Sequence, residues 1–305
     1  MIISYAEKKV AEYLEPGKKY LIRFGHGLGD TIMFVPCLDQ LRIEHPECII
    51  DLYVECGQEE IWESAIDKDD PQYDEIFHLD FPMAEGSLLT KPEKCCIEEL
   101  GCSPVTKTAI LPAKASPFVP IHFHGTALPD SVGCPPEVAR AIWNEVKDFG
   151  KIPIECHFKH IFHNPVNDIY NADTGLLMSQ YDFITRDVRD CRANLHNLIG
   201  MLQHSWAFIG VASGPLVAAL ATIPNKVLYL RKHHDIACYT KQAITSVDVF
   251  NYQAGTILKW LDQLEMDEPV EYASDSMSSA SQNRENTDTI VIQPNDHNTG
   301  SKFST

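Results

Sequence analysis

The sequence is short of positive charge. Its 305 residues hold 25 lysines and arginines against 43 acids, for a formal net charge of −18. Such a field repels phosphates, which disfavours non-specific binding to nucleic acid or anionic membrane but leaves room for a local basic cleft. No secretory signal is expected either, because the first 20 residues include Glu7, Lys8, Lys9, Glu12 and Glu15. Without such a signal, the ten irregularly spaced cysteines read as reduced thiols of a cytoplasmic protein. Cys95, Cys96 and Cys102 lack paired C-x-x-C spacing and read as buried or loop thiols. Long apolar runs are nearly absent. The one uncharged stretch that raises a membrane question, 206–223, is interrupted by Gly210, Ser213, Gly214 and Pro215. It reads as buried strand, turn and helix, and no transmembrane segment is expected.

What is present is ordinary for a soluble globular protein: 44% hydrophobic and 22% charged residues, in a length that suits two domains. Lys19–Phe24 is a short apolar run ending at a glycine cluster, which suits a buried parallel strand. Apolar residues then recur at helical spacing from Ile32 to Ile43, and Ile49–Val54 is a second strand. Strand, glycine turn, helix, strand is a βαβ unit, so the fold class is α/β with a parallel sheet. Ile76–Leu79 extends the series. Residues 81–117 are rich in Pro, Lys and Cys without periodicity, and a boundary is expected near 112–118. A second series follows: strands at Phe118–Phe123, Ile152–Cys156, Tyr181–Ile184, Trp206–Gly210 and Lys226–Leu230, and helices at Pro136–Phe149, Leu195–Gln203, Pro215–Ala221 and Tyr252–Leu264. The expected division is 1–115, 116–265 and an acidic flexible tail, 266–305. Beyond residue 266 Ser, Asn, Asp, Thr and Gln dominate, and such a segment buries too little to offset its ordering entropy.

Three places carry candidate chemistry. In Gly25-His26-Gly27-Leu28-Gly29-Asp30, alternate glycines let a ligand approach bare amides at a helix N-terminus. Asp30 also fits a plain role as a first-turn acid stabilising the helix dipole. The pattern is not the dinucleotide fingerprint, although Glu55 leaves a dehydrogenase reading weakly open. In Gly210-Val211-Ala212-Ser213-Gly214-Pro215-Leu216, Pro suits a first helical turn, Ser a cap and Gly a close phosphate. A tight strand-to-helix junction is the plainer account. Third, His157, His160 and His163 are three apart, but their segment reads as strand and loop, so no metal site is expected. Arg231 and Lys232 follow a strand end, and Arg186, Arg189 and Arg192 form a cationic strip. Arg231, Lys232 and Arg186 are the candidate phosphate contacts, and a solvated basic turn accounts for the first two equally well.

Together the segments RFGHGLGDTIMFVPCLDQLRIEHPECIIDLYV and NLIGMLQHSWAFIGVASGPLVAALATIPNKVLYL resemble the two signature regions of the family 9 glycosyltransferases, the heptosyltransferase-like enzymes. The segment VPIHFHGTALPDSVGCPPEVARAIWNEVKDFGKIPIECHF is similar to the opening of that family's second domain. The resemblance implies a GT-B fold, two Rossmann-like domains facing across a cleft, with the nucleotide-sugar held mainly by the second. It puts the catalytic base on Asp30, with Gly27, Gly29 and His26 on the acceptor side of the cleft. Donor contacts fall on His124, Gly125 and Thr126 and on Ser213, Gly214, Pro215 and Leu216. The implied reaction is metal-independent, inverting transfer to a hydroxyl of a glycan, a lipopolysaccharide core or a modified DNA base. The nucleotide-sugar is a co-substrate and no other cofactor is implied. As a base, Asp30 is expected to be desolvated and its pKa raised. Ala212 and Val217 stand where the family usually has an acid and a histidine, which leaves open a non-catalytic nucleotide-sugar or glycan-binding relative.

Overall fold

The computed structural model describes residues 2–3, 8–54, 73–79, 81, 88–105, 116–125, 134–157, 169–170, 177–178, 182–184, 188–190, 195–231, 239–241 and 243–267. They form two parallel sheets. The first has the order β1 (Ile2–Ile3), β4 (Glu75–Leu79), β2 (Lys19–Phe24), β3 (Ile49–Val54). Tyr20, Leu21, Ile22 and Phe24 of β2 are buried, as expected of a central strand covered on both faces. The chain crosses from β2 to β3 through α1 (Leu28–Glu44), which buries Leu28, Ile32, Met33, Phe34, Leu38 and Leu41. Near its end, Arg42 donates to the Ile50 carbonyl through Nε at 2.8 Å and Nη2 at 2.6 Å, tying the helix to β3.

The aperiodic stretch after β4 contains α2 (Lys91–Lys94), a single turn with a capping box. Thr90 accepts from the Glu93 amide, and the Glu93 carboxylate accepts from the Thr90 amide at 2.8 Å. The helix widens into a π turn, Cys95–Leu100, and stops at Gly101, whose φ of 78° is left-handed. Cys95, Cys96 and Cys102 are all buried here beside Cys37 of α1.

The second sheet has the order β12 (Thr245–Asp248), β11 (Val227–Arg231), β10 (Phe208–Gly210), β5 (Phe118–His122), β6 (Ile152–His157), β9 (Val188–Asp190). All its pairings are parallel. A small antiparallel pair, β7 (Ile169–Tyr170) and β8 (Leu177–Met178), forms a sheet of its own, with β8 close to β9. Successive strand residues face opposite ways. Ile209, Leu228 and Leu230 therefore pack with α3 (Pro136–Asp148) and α6 (Thr256–Asp267). Phe208, Val227 and Tyr229 pack with α4 (Leu195–Gln203) and α5 (Gly214–Thr222). That second apolar cluster does not stop at α5. It continues through α1 into β2, β3 and β4, so the two sheets share one core.

Several sequence expectations need correction. Residues 182–184, expected in a strand, form a turn, and β9 supplies the sheet edge instead. The last helix starts at Thr256 rather than Tyr252, because Gly255 turns with φ 83° and Tyr252 is held by the buried Glu145 of α3. The Glu145 carboxylate accepts from Tyr252 Oη and the amides of Gly255, Ile257 and Leu258 at 2.8–3.1 Å, so one helix caps the start of another. Met266 and Asp267, assigned to the tail, are the last residues of α6, and 268–305 lie outside the described residues.

Candidate functional site at the two strand-order reversals

In an open parallel sheet, ligands lie beyond the carboxyl ends of the strands where the strand order reverses. The first sheet reverses between β2 and β4: the chain goes from β2 outward to β3, then returns to the other side of β2. The segments leaving these two strands meet. His26, after β2, accepts at Nε2 from the Phe81 amide, beyond β4, at 2.7 Å. The other ring nitrogen, Nδ1, faces Asp30 Oδ2 at 3.6 Å. Phe24 lies under the His26 ring, with centroids 5.1 Å apart.

Asp30 is the third residue of α1, where its charge suits the helix dipole. Lys91 Nζ donates to Asp30 Oδ1 at 2.9 Å. The ammonium also lies 5.6 Å from the Phe81 ring centroid and 5.5 Å from that of Tyr239. Burial alone would raise the Asp30 pKa. His26 and Lys91 outweigh it and hold the carboxyl below the ordinary aspartate value. The expected rise is therefore wrong in sign, because the sequence did not reveal a cation 61 positions away. Two residues along, Glu93 reaches Lys241, so the start of α2 holds both Asp30 and the segment that follows β11.

The second sheet reverses between β5 and β10: β6 and β9 lie on one side, β11 and β12 on the other. Gly210 is in register with His122 there, and the Val211 amide donates to the His122 carbonyl at 3.0 Å. Residues His124 and Gly125 thus leave the sheet beside Ala212 and Ser213. His124 is half-buried and Gly125 buried, while Thr126 lies outside the described residues. Ser213 stands at the N-cap of α5 but does not cap it, correcting that expectation; its hydroxyl donates to the Val211 carbonyl at 3.0 Å. Gly214 and Pro215 open the helix, and Leu216 is fully buried in the core rather than lining an open surface.

The two reversals are brought together by glycine. A Cβ on Gly29 would meet the Gly214 Cα at 3.3 Å and Val217 Cγ2 at 3.3 Å, so α1 and α5 approach backbone to backbone at their N-terminal ends. Gly27, the N-cap of α1, has open space where a Cβ would stand. Arg231 ends β11, is exposed, and lies 4.0 Å from Asp248. Lys232, Arg186, Arg192, Glu55, His160 and His163 lie outside the described residues, and of Arg189 and His157 only the strand backbone is described. Among the described residues no group of three His, Cys, Asp or Glu side chains is placed to hold a metal ion. Nor is any helix there long and apolar enough to cross a membrane. Lys91, Phe81 and Tyr239 were missed by the sequence reading; they sit in short segments with no periodic signal.

No protein-family model matches the chain, and no curated protein sequence does. Solved structures do match in three dimensions. The E. coli heptosyltransferase WaaC with ADP-2-deoxy-2-fluoro heptose aligns with a TM-score of 0.53 and 13% identity, covering 80% of this chain and 99% of that one. WaaC with ADP gives 0.51 and 12%, over 81% and 99%. TibC of enterotoxigenic E. coli H10407, described as an iron-containing dodecameric glycosyltransferase, gives 0.53 and 11%, over 82% and 77%. At these identities the likeness is one of architecture: the chain is a mixed α/β protein with parallel sheets that shares the fold of these glycosyltransferases.

Proposed function

We propose that the protein is a glycosyltransferase that moves a sugar from a nucleotide-sugar to an acceptor hydroxyl by direct inverting displacement, without a metal ion. The observation that carries this reading is the meeting of the two strand-order reversals at Gly29 and Gly214, with the Asp30 carboxylate one residue from the contact. In this reading the chain is of GT-B type, with residues 1–115 presenting the acceptor side, the residues from 116 to the end of α6 the donor side and those beyond it a tail. Asp30 takes the proton of the acceptor hydroxyl as that oxygen attacks the anomeric carbon. The nucleoside diphosphate leaves on the opposite face, toward the amides at Ser213 and Gly214 and the positive end of α5. His124, Gly125 and Thr126 complete the donor side, and Arg231, Lys232 and Arg186 are further phosphate contacts. Likeness to WaaC structures that contain ADP and an ADP-heptose analogue supports an activated-sugar donor. The acceptor class is a glycan, a lipopolysaccharide core or a modified DNA base, and the reaction is placed in the cytoplasm.

The test is an isotope-labelled panel of nucleotide-sugars with wild type and Asp30→Asn. Transfer or hydrolysis by wild type, lost in the variant, supports the reading. No turnover and no calorimetric binding of any donor overturns it. One observation favours a second reading, a non-catalytic binding relative: Val217, where the resemblance expects histidine, is buried against Gly29. That reading expects donor binding without turnover in wild type and in every Asp30 variant.

A further inference from the structure

We propose that Lys91 is a positioning residue for the Asp30 carboxylate, and that it holds this place because residues 239–241 of the second half lie against α2. The inference rests on the reading of Asp30 as a base. Lys91 is the first residue of α2, and a capping box fixes the geometry of that turn. Its side chain is 15% exposed, and its ammonium is spanned by the Asp30 carboxylate and the rings of Phe81 and Tyr239. The bond from Nζ occupies Oδ1, so a proton from an acceptor hydroxyl would pass to Oδ2, the oxygen that faces the His26 ring at 3.6 Å. A carboxylate turned by one fixed hydrogen bond presents that oxygen in one direction, which is the orientational part of general-base catalysis.

The second half enters through two contacts on the same turn. Tyr239 backs the Lys91 ammonium, and Lys241 pairs with Glu93, which is buried and also accepts from the Thr90 hydroxyl at 2.9 Å. Drawing 239–241 away from α2 removes one wall of the Lys91 site and the cation that neutralises Glu93. Docking of the two halves and aiming of the base are therefore one event. The charged and titratable groups around the carboxylate are His26 on its own segment, Lys91 on α2, and beyond Lys91 the Tyr239 ring and the Glu93–Lys241 pair. Burial opposes ionisation of Asp30 and Lys91 favours it, so loss of Lys91 leaves burial opposed by His26 alone.

The experiment is a carbon-13 carboxyl titration of the full chain labelled at aspartate, with Asp30→Asn identifying the Asp30 signal. In Lys91→Met the Asp30 midpoint is expected to rise by about 1–3 pH units, the usual influence of an adjacent opposite charge. Lys91→Arg, which keeps the cation, is expected to stay near wild type. Tyr239→Leu is expected to move the midpoint the same way by a smaller amount, and it serves if Lys91→Met does not fold. An unmoved midpoint in Lys91→Met, or in Tyr239→Leu where that variant stands in for it, overturns the proposal, as does an equal rise in Lys91→Arg. Where wild type transfers sugar, the acid limb of kcat is expected to move with the midpoint, and an acid limb that stays put overturns the positioning role. A wild type that turns over no donor removes the transferase reading and leaves the titration to decide the Lys91–Asp30 relationship.

Discussion

Gly29 and Gly214 touch through their backbones. A Cβ on Gly214 would stand 3.0 Å from Leu28 Cβ and 3.2 Å from the Gly29 amide nitrogen, so a methyl there fits only if the packed halves give by a few tenths of an ångström. Gly214→Ala is expected to force α1 and α5 apart and to destabilise by about 1–3 kcal/mol, as over-packing does. Gly200 in α4 has nothing within 4 Å of its Cβ position. Gly200→Ala is expected instead to stabilise by about 0.5–1 kcal/mol through helix propensity. Urea denaturation of the pair checks both signs.

On the reading of Asp30 as a base, Asp30→Asn is expected to lower turnover by about 10²–10⁴-fold, with donor affinity nearly unchanged. Because its folded pKa is depressed, wild-type activity is expected to persist on the acid side until the pH falls below the ordinary aspartate value of about 3.9. The same shift contributes stability that is present above that value and is lost as the pH falls through the folded pKa. The stability gap between wild type and Asp30→Asn should close on acidification. A gap constant with pH contradicts the ion pair.

Glu145→Ala is expected to cost about 2–4 kcal/mol. It strips the amides of Gly255, Ile257 and Leu258 and the Tyr252 hydroxyl of their acceptor at a buried site. Thermal unfolding and amide exchange at the start of α6 read the loss. Exchange there should speed up while that of α4 stays unchanged.

Glu93→Ala removes both the capping-box acceptor for the buried Thr90 and the partner of Lys241. The expected cost is about 1–3 kcal/mol, mostly from the unpaired amide, since Lys241 is half exposed and its pair is screened. Burial raises the Glu93 pKa, and Lys241 and Thr90 more than offset it, leaving the group depressed. Its contribution is thus full at neutral pH and lost in acid, which a denaturation series from pH 7 down to pH 3 tests as an order-of-magnitude window around the usual glutamate value of about 4.3.

Much of this arrangement was legible because strands buried on both faces are written as continuous apolar runs. Lys19–Phe24 and Ile49–Val54 begin and end where the sequence puts them. The glycine turn pointed to Asp30 for the same local reason. What surrounds Asp30 was not legible. Lys91 sits on a single helical turn that widens into a π turn, too short for a 3.6-residue period to show. β12 was missed because Thr245 and Ser246 are exposed and Val247 is the one buried residue in an edge strand. The start of α6 was misplaced because Glu145, more than a hundred residues earlier, sets it.

The apolar cluster that runs from β3 through α1 and α5 to the inner face of the second sheet has a consequence for how the molecule comes apart. Because buried residues of both sheets belong to this one cluster, neither sheet can melt and leave the other's surface intact. Heating should give a single cooperative transition in calorimetry, despite two sheets that look autonomous on paper. Relative motion of the two sheets at this point is then expected to be a small sliding of packed helices rather than a wide swing about a hinge.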